Sequence, residues 1–228
     1  MNYLTAARMR EADRRAIQDL GIPGAVLMNA AGTAVFNEIE KGPVGIVCGK
    51  GNNGGDGFVV ARLCQAVGLS PFVVLLGDPS DVKGDAALFR GIYERLGGIV
   101  ECAPDPRAAE DAVSGLAECA VLVDAMLGTG TKGEVVGAYR KAIEAWPEVP
   151  TIAVDLPSGM NADTGQPCGC CVKADTTVTF QFPKAGFEAE CAAAYMGRLV
   201  VADIGIPPVC ADDNAWERLS AGFSGAAS

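Results

Sequence analysis

The stretch VGIVCGKGNNGGDGFVVARLCQAVG, residues 44–68, decides the fold. Val44 to Cys48 is a short run rich in β-branched residues and reads as a strand. It empties at once into the glycine-rich segment Gly49 to Gly57, after which Phe58 to Val67 reads as a helix stopped by Gly68. The same alternation continues downstream. Pro71–Leu76, Ile99–Cys102, Ala120–Val123 and Thr151–Val154 are apolar strands, separated by helical segments at about Ser80–Leu96, Pro106–Ala117 and Gly133–Trp146. Strands apolar on both sides and spaced by helices form a parallel sheet covered on both faces. The class is therefore α/β, an αβα sandwich. Upstream, a helix is expected from Thr5, its N-cap, to Leu20, and a second from Gly24 to about Glu40. Downstream, Asp175–Phe182 and Arg198–Ile204 are strand-like with only a short alanine-rich segment between them, so the largely parallel sheet is expected to have a mixed edge. Beyond Pro208 the composition falls to Gly, Ala, Ser and Asp. A domain over residues 1–208 and a flexible tail over 209–228 are expected.

Composition removes whole classes of chemistry. The 228 residues include no histidine, which excludes Ser-His-Asp and Cys-His nucleophiles, His-ligated zinc and imidazole acid-base catalysis. Eighteen Lys and Arg against twenty-eight Asp and Glu give a net charge of -10, which disfavours nucleic acid and anionic membrane as partners. The N-terminus has no apolar signal region and no run has transmembrane length, so a cytoplasmic protein with reduced thiols is expected. Cys168, Cys170 and Cys171 form a C-x-C-C without a second knuckle, which is not zinc spacing.

In an open α/β sheet, ligands sit outside the carboxyl ends of the strands. Three polar clusters occupy that position: Gly49 to Gly57, Asp124 to Glu134, and Asp155 to Asn161. The glycines of the first allow positive φ and close approach to a ligand, and the helix start beyond them suits a phosphate. It is not a Walker loop, and a tight connection alone would also use glycines. The second cluster interleaves Gly128, Gly130 and Gly133 with Thr129 and Thr131, whose hydroxyls and backbone N–H groups can cradle an anion. Asp124 there reads as a functional carboxylate, or else as a helix cap or a partner of Lys132. In the third, Asp155 either serves the site with Ser158 or caps its own turn. Asn53, Asp124 and Ser158 together make an all-oxygen set with one carboxylate, which suits a hard, low-charge cation such as potassium.

GNNGGDG, VDAMLGTGTKGE and VDLPSGMNADTG, in this order, resemble the YjeF N-terminal family, which includes the NAD(P)H-hydrate epimerases. TAARMREADRRAI, LMNAAG, ADTTVTFQFPKAG and GRLVVADIGIP extend the likeness over Thr5 to Pro207, and Asn29 stands where the family commonly has glutamate. The resemblance implies a Rossmann-like fold, a homodimer, and interconversion of the R and S forms of NADHX and NADPHX, the hydrated nicotinamide cofactors. It implies substrate contacts from Asn52, Asn53, Gly54, Gly55, Asp56, Gly128, Thr129, Gly130, Thr131, Lys132, Gly133, Glu134 and Asp155, and K+ held by Asn53, Asp124 and Ser158. Lys184 matches a recurrent lysine. Asp155 is the expected acid/base group, removing and restoring a ring hydroxyl with help from the neighbouring nitrogen. The partner expected is an NAD(P)HX dehydratase on a separate chain. The rival reading is a non-catalytic scaffold or binding module, as in enhancer-of-decapping proteins and in apolipoprotein A-I binding. A generic nucleotide hydrolase on the same sheet ranks below it.

Overall fold

The computed structural model describes residues 3–223. Seven strands form one sheet: β1 Val44–Cys48, β2 Pro71–Leu75, β3 Val100–Cys102, β4 Val121–Ala125, β5 Thr151–Val154, β6 Thr176–Phe180 and β7 Arg198–Ala202. Their order is β3-β2-β1-β4-β5-β6-β7, and every pairing is parallel. The order reverses between β1 and β4, which opens a crevice at their carboxyl ends. Both faces are covered, as the apolar strands require. Val44, Ile46, Val121 and Val123 face α2 (Gly24–Phe36), α3 (Asn52–Val67) and α4 (Gly84–Arg95), whereas Val47 and Leu122 face α5 (Pro106–Ser114) and α6 (Gly137–Glu144). The α/β sandwich expected from the alternation is what the chain forms.

The edge is not mixed. β6 and β7 are parallel because the alanine-rich segment between them folds into two 3₁₀ turns and α7 (Ala193–Met196), which return the chain to the starting end of the sheet. The segment after Pro208 also differs from the frayed tail expected. Asp212 caps α8 (Asp213–Ser220), and Trp216, only 7% exposed, packs with Ala12, Ala16, Leu27 and Ile206. Arg15 lies 5.1 Å over the Trp216 ring and also pairs with Asp213. Residues 224–228 of that expected tail lie outside the described residues. Helix α1 (Ala6–Arg14), with Thr5 as its N-cap, passes into a π-helical turn over Arg15–Asp19.

The largest local difference concerns the glycine cluster. Helix α3 starts at Asn52, so Gly54, Gly55 and Gly57 are helical, and none of them has a positive φ. They are needed for proximity. A Cβ on Gly54 would lie 1.8 Å from the Gly49 carbonyl oxygen, and one on Gly57 would lie 2.7 Å from both Ala125 Cβ and Cys48 Sγ. The missing side chains let the first turn of α3 press onto the ends of β1 and β4. Gly51, by contrast, has open space around it. Gly54→Ala is therefore expected to cost about 1–3 kcal/mol or more, and Gly51→Ala to stay within about 0.5 kcal/mol of wild type. Urea unfolding of the two variants checks this; equal midpoints would refute the close-packing role.

Candidate active site

Three strand ends and one helix build the site. After β1, the 16-residue α3 begins without a side-chain cap, so its first N–H groups and its positive dipole end face the crevice. Asn52, Asn53 and Asp56 of this helix line a cavity of about 520 Å³. Asn53 is 9% exposed, and its Nδ2 has no hydrogen-bond partner.

At the end of β4, Asp124 is fully buried. Its carboxylate accepts from Ser158 N at 2.7 Å, Ser158 Oγ at 2.5 Å and Met126 N at 3.3 Å. Desolvation still outweighs these bonds and pushes its pKa up to about 6. Ser158 Oγ in turn accepts from Leu127 N at 2.8 Å, so the loops after β4 and β5 are clasped together. Asp124 is thus neither a helix cap nor a partner of Lys132. Gly128 lies against Asn53, where a Cβ would come 3.3 Å from Oδ1. Gly128, Thr129, Gly130 and Thr131 line the cavity, with Thr131 turned back onto the Gly128 carbonyl. Lys132 and Gly133 are exposed and outside the lining, and Glu134 faces away to pair with Arg140 at 2.7 Å. Gly54 and Gly55 are buried behind it.

After β5, Asp155 has φ +68, a left-handed conformation that a side-chain-bearing residue holds only at a cost of about 1–3 kcal/mol. Its carboxylate meets Lys184 Nζ at 2.5 Å and accepts from Thr179 Oγ1 at 3.2 Å. Lys184 is 1% exposed and also donates to Thr179 Oγ1 at 3.0 Å and the Phe182 carbonyl at 3.3 Å. Asp155 and Lys184 both line the cavity, whose apolar wall includes Met28, Leu27 and Phe180. Asn29 points elsewhere, accepting from Arg62 at 2.8 Å.

One lining carboxylate escaped the sequence reading. Asp13 lies on α1 between Met9 and Ile17, and all three line the cavity. The only signal was an acidic residue interrupting an apolar stripe at i±4. Burial, then the charge of Asp155, raises the Asp13 pKa to about 6, with Lys184 opposing. The same burial drives Asp56 well above the ordinary value, reinforced by Asp155 and Asp13 and opposed by Lys184. Of the four aspartates that line the cavity, Asp13, Asp56 and Asp155 thus gather around a single buried ammonium.

A family model described as YjeF-related protein N-terminus matches residues 24–186. The chain is 38% identical over 210 residues to an NAD(P)H-hydrate epimerase of Rhodopirellula baltica, covering 90% of this chain and 84% of that one. It is 42% identical over 207 residues to an NAD(P)H-hydrate epimerase of Pirellula staleyi, covering 88% and 91%. It is also 43% identical over 217 residues to a bifunctional NAD(P)H-hydrate repair enzyme of Moorella thermoacetica, covering 91% of this chain but only 41% of that relative. The crystal structure of yeast ynu0 superposes with a TM-score of 0.67 at 21% identity, covering 82% of this chain and 83% of that one, which is a likeness of fold.

The buried carboxyl of Asp56 gives stability a definite pH dependence. Its folded-state pKa lies well above the ordinary 3.8, so the folded chain binds this proton more tightly than the unfolded one. The group's contribution is fully present below the unfolded pKa and is lost as pH rises through the folded value. Asp56→Asn removes that loss. Thermal melts of wild type and variant are expected to agree most closely near pH 4, with the variant gaining in relative Tm up to pH 8. A difference independent of pH would contradict the assigned burial.

Proposed function

The chain belongs to the family of YjeF-related protein N-termini, and on that premise we propose that it is an NAD(P)H-hydrate epimerase, an isomerase of the R and S forms of NADHX and NADPHX. The observation that carries the reading is Asp155. It sits in a strained conformation at a strand end, ion-paired to a buried lysine, on the wall of a cavity large enough for a nicotinamide ring. The pyrophosphate of the substrate is assigned to the start of α3 and the Gly128–Thr131 turn, where N–H groups and a helix dipole favour an anion. The ring is assigned to the deeper wall of Met28, Leu27 and Phe180, beside Asp155.

Epimerisation inverts the hydroxyl-bearing ring carbon. In the proposed reaction, the C–O bond breaks as the hydroxyl leaves as water, and the electron pair of the adjacent ring nitrogen stabilises the cation. Water then adds to the other face and gives up a proton. Asp155 is the group assigned to proton transfer. Lys184 and Thr179 fix its carboxylate, so they act as positioning residues.

A potassium ion is part of the proposal, held by Asp124, Ser158 and Asn53. The residues fit such an ion on two counts. Asp124 is a buried carboxylate without a cationic partner among the described residues, and the Asn53 amide has an unpartnered buried end that a half-turn of the amide would make an oxygen. Among those residues no three His, Cys, Asp or Glu side chains are grouped for a metal, and this oxygen set is of a different kind. When bound, the ion supplies positive charge near the phosphates and the Asp124 clasp. A homodimer in the cytoplasm, acting together with an NAD(P)HX dehydratase, completes the proposal. Among the described residues, no helix is long and apolar enough to cross a membrane.

The scaffold reading leaves the Asp155–Lys184 pair and the crowded carboxyls without use, since burying them costs stability that a binding module gains nothing by spending. The test is R-NADHX incubated with an S-specific dehydratase. Addition of this protein is expected to convert slow, biphasic consumption into fast, complete consumption, with a rate rising saturably with potassium at constant ionic strength. Asp155→Asn should lower that rate about 10²–10⁴-fold. Unchanged biphasic kinetics with the wild-type protein would refute the epimerase reading.

A further inference from the structure

Inversion at a carbon needs proton traffic on both faces of the ring. The hydroxyl leaves from one face as a proton is supplied to it, and water arrives on the other face as a proton is withdrawn. Asp155 cannot serve both. Its backbone is locked at φ +68, and its carboxylate is held by Lys184 at 2.5 Å and Thr179 at 3.2 Å, so it cannot swing around a bound ring.

The other titratable groups on the cavity wall can be sorted by where they sit. Asp56 is 8% exposed at the base of α3. Asp85 is lodged against the start of α2, where a Cβ on Gly24 would collide with its Oδ2. Tyr139 belongs to α6, and burial raises its hydroxyl further from neutrality. Arg10 has no proton to exchange at ordinary pH. Asp85 is likewise half-buried and unpaired among the described residues, but Asp13 is the carboxyl with both that freedom and a place beside the charges of Asp155 and Lys184. It lines the cavity on α1, is half-buried, and makes no hydrogen bond or ion pair with the protein among the described residues.

Helix α1 also holds it in place relative to the ion pair. Leu4, just before α1, pairs with Lys184, donating to the Pro183 carbonyl and accepting from Ala185 N, both at 2.8 Å. The neighbouring Ala12 packs α1 against Trp216 and Ile206. The chain stretch that carries Lys184 therefore also seats the helix that carries Asp13. The family model that matches this chain begins at residue 24, beyond α1.

We propose that Asp13 is a second catalytic residue of this site, transferring a proton at one face of the substrate ring while Asp155 does so at the other. The proposal rests on the epimerase reading. In one direction the Asp13 carboxyl gives its proton to the ring hydroxyl, the C–O bond breaks, and water departs as the ring nitrogen's electron pair forms a C=N bond. A second water adds its oxygen to that carbon from the other face, the pair returns to nitrogen, and the surplus proton passes to the Asp155 carboxylate. The turnover ends with Asp13 ionised and Asp155 protonated, which is the starting state for the opposite epimer. Asp13 can alternate between these states because burial and the charge of Asp155 place its pKa at about 6.

The test follows both epimerisation and exchange of the ring hydroxyl with ¹⁸O-labelled water, using the full chain and separated R and S NADHX. With one carboxylate removed, the other still serves the face it borders, where it can release and return water without inversion. Asp13→Asn is expected to lose epimerisation by at least about 100-fold while still catalysing ¹⁸O exchange into one epimer, and Asp155→Asn to exchange the other epimer only. Asp13→Glu should regain part of the epimerisation. Retained exchange also reports a folded site, which a structural role for Asp13 would not produce. Epimerisation by Asp13→Asn within about threefold of wild type, a change too small for a lost acid or base, overturns the proposal, as does loss of exchange with both epimers. A wild-type protein that does not interconvert the epimers overturns the epimerase reading and this proposal together. An active wild type with an equally active Asp13→Asn overturns this proposal alone.

Discussion

A lysine ammonium that is 1% exposed stays inside a protein only if opposite charge and hydrogen bonds replace the water it has lost. Lys184 meets that demand with Asp155, Thr179 and the Phe182 carbonyl, and much of the molecule is arranged around this group. Asp155 leaves β5 in a left-handed turn that directs its carboxylate toward β6, where Thr179 stands. The segment after β6 carries Lys184 itself and receives the chain's N-terminal strand residue, Leu4, as a neighbour. The ion pair thereby joins the segment before α1 to β5, to β6 and to the cavity wall.

The charge balance around that pair explains how an acidic protein with a net charge of -10 can hold an anionic ligand. Long-range attraction is absent, so attraction has to be local: the uncapped start of α3, the N–H groups of the Gly128–Thr131 turn, and Lys184. Burial raises the pKa of both Asp13 and Asp56 and so favours their neutral forms, which lowers the repulsion an incoming anion meets. Without histidine, such burial is the available route to acids whose titration is moved toward neutrality.

The alternation of β1, the glycine segment and α3 exposed the fold class in the sequence, because a sheet covered on both faces demands strands apolar on both sides. The site's location was legible for the same reason: Asp124 and Asp155 follow apolar runs directly, and Asn53 lies in the glycine segment that follows another. What the glycines do was not legible. Gly54 and Gly57 have low helix propensity and suggested a loop, but contact with Gly49, Cys48 and Ala125 decides their conformation, and that contact is tertiary. Asp13 was hidden because a single carboxylate on a helix ordinarily faces water. Lys184 stood out as a family residue, yet its partner Asp155 lies one strand away, and no spacing in the chain joins them. Trp216, in a polar stretch, carried no local sign of the pocket formed by Ala12, Leu27 and Ile206.

The central claim is that Asp155 and Lys184 form one buried, mutually dependent unit on which strands β5 and β6 and the site rely. A double-mutant cycle tests it most directly, with urea unfolding of wild type, Asp155→Asn, Lys184→Met and the combined variant. A coupling of about 2 kcal/mol or more is expected, with the single Asp155→Asn variant among the most destabilised because it leaves the buried Lys184 ammonium without its counter-charge. A coupling below about 0.5 kcal/mol, the size at which distant sites simply add, would contradict it.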